Sequence, residues 1–309
     1  MQGLSMPHIG EIHLENTFPA PLIQHQTIKV LSWNILRGFQ YKGVIETIRS
    51  LDPDIICLQE VDWGNERTGN LNIASEIAAS CKLNYVFATE SEEKKSWIRS
   101  IFKNSGQGGG VLGNTLLSKY PITDARVLEL VTTNMYHGII PSRSTLDHIT
   151  RPSMGKANAI AATISIGGSD IAVYATHFTI FQASMRTRIN QLKQLYIDSK
   201  NNSHVIIAGD LNTTAHGAFG IYNFLEAPDA FYLKSIFTPE AVYWDKKVLP
   251  ELELIDPSDK RKDWTLQVAG IYHTKADWIL TRGFDRLDTH PGELKYSDHK
   301  PLIATLQIA

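Results

Sequence analysis

At 309 residues, with 43% apolar and 20% charged side chains, the chain has the composition of an ordinary soluble globular protein, neither fibrous nor disordered. A formal net charge of −2 offers no global attraction to nucleic acid or anionic membrane, although a local basic face stays open. No stretch approaches the roughly 18 consecutive apolar residues of a membrane span, and no basic segment followed by an apolar one opens the chain, so a cytoplasmic protein is expected.

Residues 1–27 are rich in His, Pro and polar side chains without periodicity, and are expected to be an arm lying on the domain or a disordered tail. Residues 28–309 are expected to form a single domain, because candidate site residues recur from position 34 to position 299. Residues 28–33 (IKVLSW) read as a strand ending in Asn34. Val44, Ile45, Ile48 and Leu51 lie at helical spacing and predict a helix over 42–50, stopped by Asp52-Pro53. Residues 54–58 (DIICL) form a second apolar strand, followed by Gln59 and Glu60. A Glu after so apolar a run is expensive to bury unless it is paired or binds a metal; otherwise it is a solvated strand exit. Cys57 and Cys81 lack metal-ligand spacing and read as free thiols.

A helix over 72–81 and a short strand over 85–88 follow. Residues 92–110 are charged and then glycine-rich: either a solvated surface loop, or a flap whose Lys94, Lys95, Arg99 and Lys103 meet a polyanion. Gly113-Asn114 precedes a strand (TLLS), Tyr120-Pro121 turns into another near 127–131, and 132–150 is a long loop. After Arg151-Pro152, AIAATISI and IAVYAT read as a hairpin through Gly167-Gly168, whose second strand ends in His177. A helix is predicted over 185–197.

Residues 205–214 (VIIAGDLNTT) combine five apolar or small residues with Asp210 and Asn212, spaced to leave the strand end on one side. Taken alone, this is equally a strand ending in a polar turn. Residues 215–263 include a short helix near 222–225, much irregular structure and a charged turn, DPSDKRKD. ADWIL carries Asp277 in a strand, and YSDHKPL places Asp298 and His299 before a terminal strand over 302–308. Strands interleaved with a few helices, in hairpins as well as crossovers, predict packed mixed sheets flanked by helices.

The polar groups collected at these strand ends are Asn34, Glu60, His177, Asp210, Asn212, Asp277, Asp298 and His299. Carboxylates, amides and imidazoles without cysteine make a hard, oxygen-rich set that suits Mg²⁺ or Mn²⁺ better than a structural zinc. Crowded carboxylates repel, so a cation would stabilise them. The chemistry such a set serves is phosphoester hydrolysis. Asp210 would orient or deprotonate water, His177, Asn212 and His299 would donate to phosphoryl oxygens, and Asp277 would hold the tautomer of His299. Taken singly, His177 is also an ordinary satisfied histidine, and Asp298-His299 a plain turn.

The segments LSWNILRG, DIICLQEVD, GNTLLSKYPI, YATHF, IIAGDLNTT, ADWIL and YSDHKPL resemble, in order and over residues 28–308, those of the endonuclease/exonuclease/phosphatase superfamily, which is deoxyribonuclease I-like. The resemblance implies a four-layer α/β sandwich: two mixed β-sheets face to face, helices outside, and a divalent-metal phosphoesterase site at one edge. By motif it implies Glu60 as the principal Mg²⁺ or Mn²⁺ ligand with Asn34 and Asp298 nearby. It further implies Asp210 and Asn212 as the water-activating and phosphate-binding pair, His177 and His299 on the phosphate, and Asp277 behind His299. Arg151 would contact substrate phosphate, with Asn114 as a looser candidate. The chain is most similar to generic bacterial-type members; where inositol phosphatases show a CDRI-like segment it has ADWI.

The expected function is a monomeric, metal-dependent phosphodiesterase or phosphatase working by direct water attack. A small or lipid-linked phosphoester is placed ahead of nucleic acid, because the charge balance is mildly acidic and the basic clusters lie in loops. The alternative is an endo- or exonuclease, and the rival from another class is a catalytically silent binding module.

Overall fold

The computed structural model describes residues 6–22, 27–93, 108–132, 153–179, 185–213, 239–256, 258–268, 270 and 272–308. The chain begins with β1 (Ile12–Glu15), β2 (Thr27–Arg37), α1 (Tyr41–Leu51), β3 (Ile55–Trp63), α2 (Ile73–Cys81), β4 (Asn84–Glu93), β5 (Val111–Ser118) and β6 (Ile122–Glu129). It continues through β7 (Ser153–Gly155), β8 (Asn158–Ile166), β9 (Ser169–His177), α3 (Met185–Ser199) and β10 (His204–Asp210). Three abutting helical segments, Glu240–Tyr243, Trp244–Val248 and Leu249–Glu251, lead to β11 (Leu266–Val268), β12 (Tyr272–Thr274), β13 (Asp277–Arg282), β14 (Phe284–Pro291) and β15 (Leu302–Ile308).

Eight strands form the first sheet, in the order β1-β4-β5-β3-β2-β15-β14 with β7 on β4, and five form the second, β13-β10-β9-β8-β6. Both are mixed: β2–β3 and β9–β10 are parallel within otherwise antiparallel ladders. Side chains alternate across a strand, so each sheet offers two apolar faces. Val30, Ile55, Val86 and Leu116 of the first sheet pack against Ile160, Val173, Ile206 and Ile279 of the second. The outer face of the first sheet (Leu31, Trp33, Ile56, Leu58) is covered by Val44, Ile48, Ile73 and Ile77 of α1 and α2. The outer face of the second (Tyr174, Val205, Ile207, Leu280) is covered by Leu192 and Leu195 of α3, with Trp244 and Leu249. Helices, sheet, sheet and helices make the four layers expected from the resemblance.

Local chemistry explains several boundaries. α1 stops where Asp52 adopts the left-handed conformation and returns its N–H to Ile48, and Pro53 follows. Asn72 caps α2 by accepting from Ser75 N at 3.0 Å. Two expectations need correction. β2 and β3 do not end at Asn34 and Glu60 but continue to Arg37 and Trp63, through register breaks and positive φ at Leu36, Arg37 and Glu60. The strand expected over 127–131 lies earlier, at Ile122–Glu129. The helix expected near 222–225 falls outside the described residues.

Of the first 27 residues, β1 pairs with β4 in the register Ile12↔Ala88, at the edge of the first sheet. The Asn16 amide exchanges two hydrogen bonds with the backbone of Ile122 (2.8 and 2.9 Å), which ties this segment to the second sheet. Cys57 is buried, which pushes its thiol pKa up, and both cysteines are free. Among the described residues, no helix is long and apolar enough to cross a membrane.

Candidate active site

Eight strands bordering the inter-sheet layer share one pattern: their inward residues are apolar and then turn polar at the same edge. β2 sends Val30, then Ser32 and Asn34; β3 sends Ile55 and Cys57, then Gln59; β4 sends Val86 and Ala88, then Glu90. β9 sends Val173 and Ala175, then His177; β10 sends Ile206 and Ala208, then Asp210. In β5, β8 and β13, which run the other way, the polar residue comes first: Asn114, Asn158 and Asp277. The period of two makes this an inward-facing polar rim on an apolar layer.

The rim converges on Asp210, which is 2% exposed. Its Oδ2 accepts from Asn34 Nδ2 at 3.2 Å and faces His177 Nε2 at 3.7 Å and His299 Nε2 at 3.8 Å. Each imidazole is held from behind: His177 Nδ1 donates to Glu90 Oε2 at 3.0 Å, and His299 Nδ1 to Asp277 Oδ2 at 2.7 Å. Asn34 Nδ2 also reaches Glu60 Oε1 at 3.2 Å, while Arg37 Nε stands 4.0 Å from Glu60 Oε2. The bulge at Glu60 (φ 52°) lets two consecutive residues, Gln59 and Glu60, approach this edge; its energetic strain is of the kind that clusters at functional sites.

Neighbouring backbone is pinned in place. Gly209 is required beside Asp210, since a Cβ there would sit 1.8 Å from the Thr176 carbonyl oxygen of β9. Asn212 adopts φ 52° with its N–H on Asp210 Oδ1 (2.9 Å) and its Nδ2 on the Phe178 carbonyl (3.0 Å). The loop before β15 is stapled to β2: Trp33 Nε1 donates to the His299 carbonyl (2.9 Å) and Ser297 Oγ to the Asn34 carbonyl (2.7 Å).

Burial opposes charge on both imidazoles, but the surrounding carboxylates outweigh it. Glu90, Asp210 and Glu60 push His177 up to about 10, and Asp277, Asp210 and Asp298 push His299 up to about 10. Burial pushes the Asp277 carboxyl up as well, opposed by His299. Asp277 and His299 share one proton, which we place on the imidazole because Asp210 also faces it.

The structure therefore brings Asn34, Glu60, His177, Asp210, Asp277 and His299 into one constellation, with Asn212 at its edge. Asp298 is exposed and touches it through Ser297, whose Oγ lies 3.2 Å from Asp298 Oδ1. Asn114 needs a different account: it is fully buried and donates to Asn158 Oδ1 at 3.1 Å, bridging the two sheets rather than facing solvent. Arg151 lies outside the described residues. Sequence reasoning missed Glu90 and Arg37. Glu90 carried a signal, since it follows the apolar run YVFA closely, as Glu60 follows DIICL.

Comparison with known proteins agrees with this architecture. A model of the Endonuclease/Exonuclease/phosphatase family matches residues 31–299. No curated protein gives a match. Among solved structures, an endonuclease/exonuclease/phosphatase from Beutenbergia cavernae superposes with TM-score 0.64 at 15% identity, covering 92% of this chain and 72% of that one. ANGEL2, a 2',3'-cyclic phosphatase, gives TM-score 0.57 at 14% identity over 99% of both chains. D. rerio TDP2 complexed with single strand DNA product gives 0.54 at 15% identity, over 91% of this chain and 99% of that one. At such identities these likenesses are of fold. The family match spans most of the chain, which therefore belongs to the endonuclease/exonuclease/phosphatase family of phosphoester-hydrolysing enzymes.

Proposed function

We propose that this chain hydrolyses a phosphodiester or phosphomonoester by direct attack of water, with a divalent cation, Mg²⁺ or Mn²⁺. The observation that carries the reading is the Asp210 carboxylate set between two imidazoles, 3.7 and 3.8 Å away, each backed by its own carboxylate. The donor set fits a hard cation. Among the described residues, Glu60, Glu90, Asp210, Asp277 and Asp298 gather around two imidazolium rings and the Arg37 guanidinium, an excess of two negative charges that one divalent ion would offset. That count is the same whichever member of the Asp277–His299 pair holds the proton.

Glu60, Asn34 and Asp298 would hold the ion. Ligand atoms of Asp210, Asp277 and His299 also lie within 4.8 Å of one another. Asp277 and His299 are spent on each other and buried, however, whereas the Glu60 side chain is 23% exposed and can share an ion with water and phosphate. When bound, the ion neutralises charge on the phosphate and on the departing oxygen.

The remaining steps belong to side chains of this protein. Asp210 Oδ2 orients the attacking water and accepts its proton. His177 and His299 point Nε2–H at the phosphoryl oxygens, because Glu90 and Asp277 occupy their Nδ1–H. Asn212 presents its amide at the same edge, and no serine or cysteine nucleophile takes part. A second reading, a nucleic-acid phosphoester in place of a small or lipid-linked one, draws support from two fold neighbours: ANGEL2 is a 2',3'-cyclic phosphatase, and the TDP2 structure holds single strand DNA product.

The test is hydrolysis of bis-p-nitrophenyl phosphate, p-nitrophenyl phosphate and supercoiled plasmid with Mg²⁺, Mn²⁺ or EDTA, beside Glu60→Ala. Turnover that needs the metal and disappears in the variant supports the reading. Turnover that persists in EDTA or in Glu60→Ala refutes it.

A further inference from the structure

The residues that flank His299 belong to a small, separate sheet. β11 and β12 form a two-stranded ladder, Leu266↔Thr274 and Gln267↔His273. The catalytic loop adds a third row: Leu266 bridges to His299, Gln267 N donates to the Asp298 carbonyl (3.1 Å), and Lys300 N to the Thr265 carbonyl (2.7 Å). Directly opposed residues share a face. His299, Leu266 and Thr274 therefore share one face, on which His299 and Thr274 are buried, while Asp298, Gln267 and His273 share the other, on which Asp298 and His273 are exposed.

That outer face carries an ordered aromatic stack. The rings of Trp264 and His273 lie 4.1 Å apart and 23° from parallel, and Lys300 Nζ stands 3.3 Å over the indole. The Gln267 amide donates to His273 Nε2 at 2.9 Å, which fixes the ring's rotation and leaves its proton on Nδ1. Trp264 and Gln267 thus hold one imidazole in place on an exposed residue, and Lys300 braces the indole behind it. Close by in sequence, the charged turn that the hydrolytic site does not use carries the exposed Arg261 and Lys262, with Lys262 Nζ 3.7 Å from Asp259 Oδ2.

We propose that the Trp264–His273 stack is a platform for a nucleobase, which makes the substrate a nucleotide-containing phosphoester and deepens the hydrolytic reading, on which it rests. Strands lie about 4.8 Å apart, so His273 is about 10 Å across the small sheet from Asp298, next to the phosphate site. A nucleoside whose phosphate lies beside Asp298, on the same face of the small sheet, lays its base on the exposed His273 and extends the stack. The ring is already ordered, so little side-chain entropy is lost on binding. Arg261 and Lys262 meet the flanking phosphates. In this reading the preference for a small or lipid-linked ester, drawn from the mildly acidic charge balance and from basic clusters that lie in loops, gives way to the aromatic stack.

The experiment removes the base and the platform in turn. Full-length protein, His273→Ala and Trp264→Ala are compared on a single-stranded oligonucleotide and on the same backbone with tetrahydrofuran abasic residues in place of bases. A base–aromatic stack predicts a KM about tenfold higher in either variant on the natural oligonucleotide, with kcat kept. On the abasic backbone the variants and the parent should coincide. Trp264→Phe, which keeps a ring behind His273, should restore most of the affinity and rule out misfolding. Binding of a 2-aminopurine oligonucleotide in EDTA reads the platform without turnover, with quenching expected in the parent and lost in His273→Ala. Equal KM values on the natural oligonucleotide, equal losses on both backbones, or unquenched 2-aminopurine would overturn the proposal. Hydrolysis of p-nitrophenyl esters would stand apart from those results, so failure of the platform and failure of the hydrolytic reading are distinguishable.

Discussion

Strand β10 contains both ends of the inter-sheet layer. Ile206 and Asp210 point the same way from the same strand and both are buried, yet they do opposite work. Around Ile206 the layer is apolar from sheet to sheet, and burial stabilises the fold. Around Asp210 it gathers carboxylates and imidazoles whose desolvation opposes folding, tolerated because Asn34, Glu90 and Asp277 supply partners. One strand thus holds the sheets together at one end and holds a reactive group at the other, and substitutions should separate the two tasks.

The widest separation is expected at Asp210. Asp210→Asn keeps the shape of the side chain and an oxygen for the Asn212 N–H, but not the proton acceptor. Its kcat should fall about 10³-fold, while the new amide, set against Asn34 Nδ2 and two imidazole Nε2 atoms, should cost about 1–3 kcal/mol of stability and leave the protein folded. Ile206→Ala, on the same face, should do the reverse: lose about 2–5 kcal/mol in urea unfolding while the folded fraction keeps its kcat. If Asp210→Asn unfolds the protein, or Ile206→Ala silences it while still folded, the division of labour along β10 is wrong.

The same division decides what was legible in the sequence. Strands buried on both faces read as continuous apolar runs, so IIAGD and DIICL announced themselves, and a carboxylate after such a run stood out. Antiparallel strands reverse the order, with the polar residue ahead of the run. Asp277 before WIL was found that way; Asn158, ahead of AIAAT, was not. Glu90 was missed because the strand was expected to stop at Ala88, where the sequence turns to TESEE. What buries that end is distant in sequence. Glu90 meets His177, and the neighbouring Glu93 meets Arg67, which is also paired to Asp62. At Leu36, Arg37 and Glu60 the positive φ falls on residues other than glycine, so those positions carry no turn signal of their own. Asn114 shows what a motif position alone does not reveal: its Nδ2 joins the two sheets through Asn158.

Glu90 allows the comparison to be sharpened within the polar end. Glu90→Gln leaves His177 an acceptor but not a charge, and kcat is expected to fall by about 10- to 100-fold, less than for Asp210→Asn. Stability should also report it. Both imidazoles are raised in the fold to about 10 from an ordinary value near 6.5. Their stabilising contribution is therefore complete below about pH 6.5, declines as pH rises, and is gone above about pH 10. In EDTA the melting temperature should fall steadily across that window, and less steeply in Glu90→Gln. A melting temperature that is flat or rises between pH 7 and 10 would contradict the protonated rings.

The smallest effect belongs to Arg37, where charge and backbone strain can be told apart. Its Nε is 4.0 Å from Glu60 Oε2 and its side chain is 38% exposed, so the pair contributes little to stability. Its φ of 63° is the left-handed conformation, which disfavours any side chain with a Cβ. Arg37→Gln removes the charge and keeps the strain; KM should rise no more than about threefold and stability should hold within about 0.5 kcal/mol. Arg37→Gly removes both and should be about 0.5 kcal/mol more stable than Arg37→Gln, the relief of strain exceeding the extra freedom of the unfolded chain. A glycine variant less stable than the glutamine one would mean that the aliphatic part of Arg37 packs the bulge. The distortion that brings Glu60 to the edge would then be held by the side chain rather than imposed by the sheet.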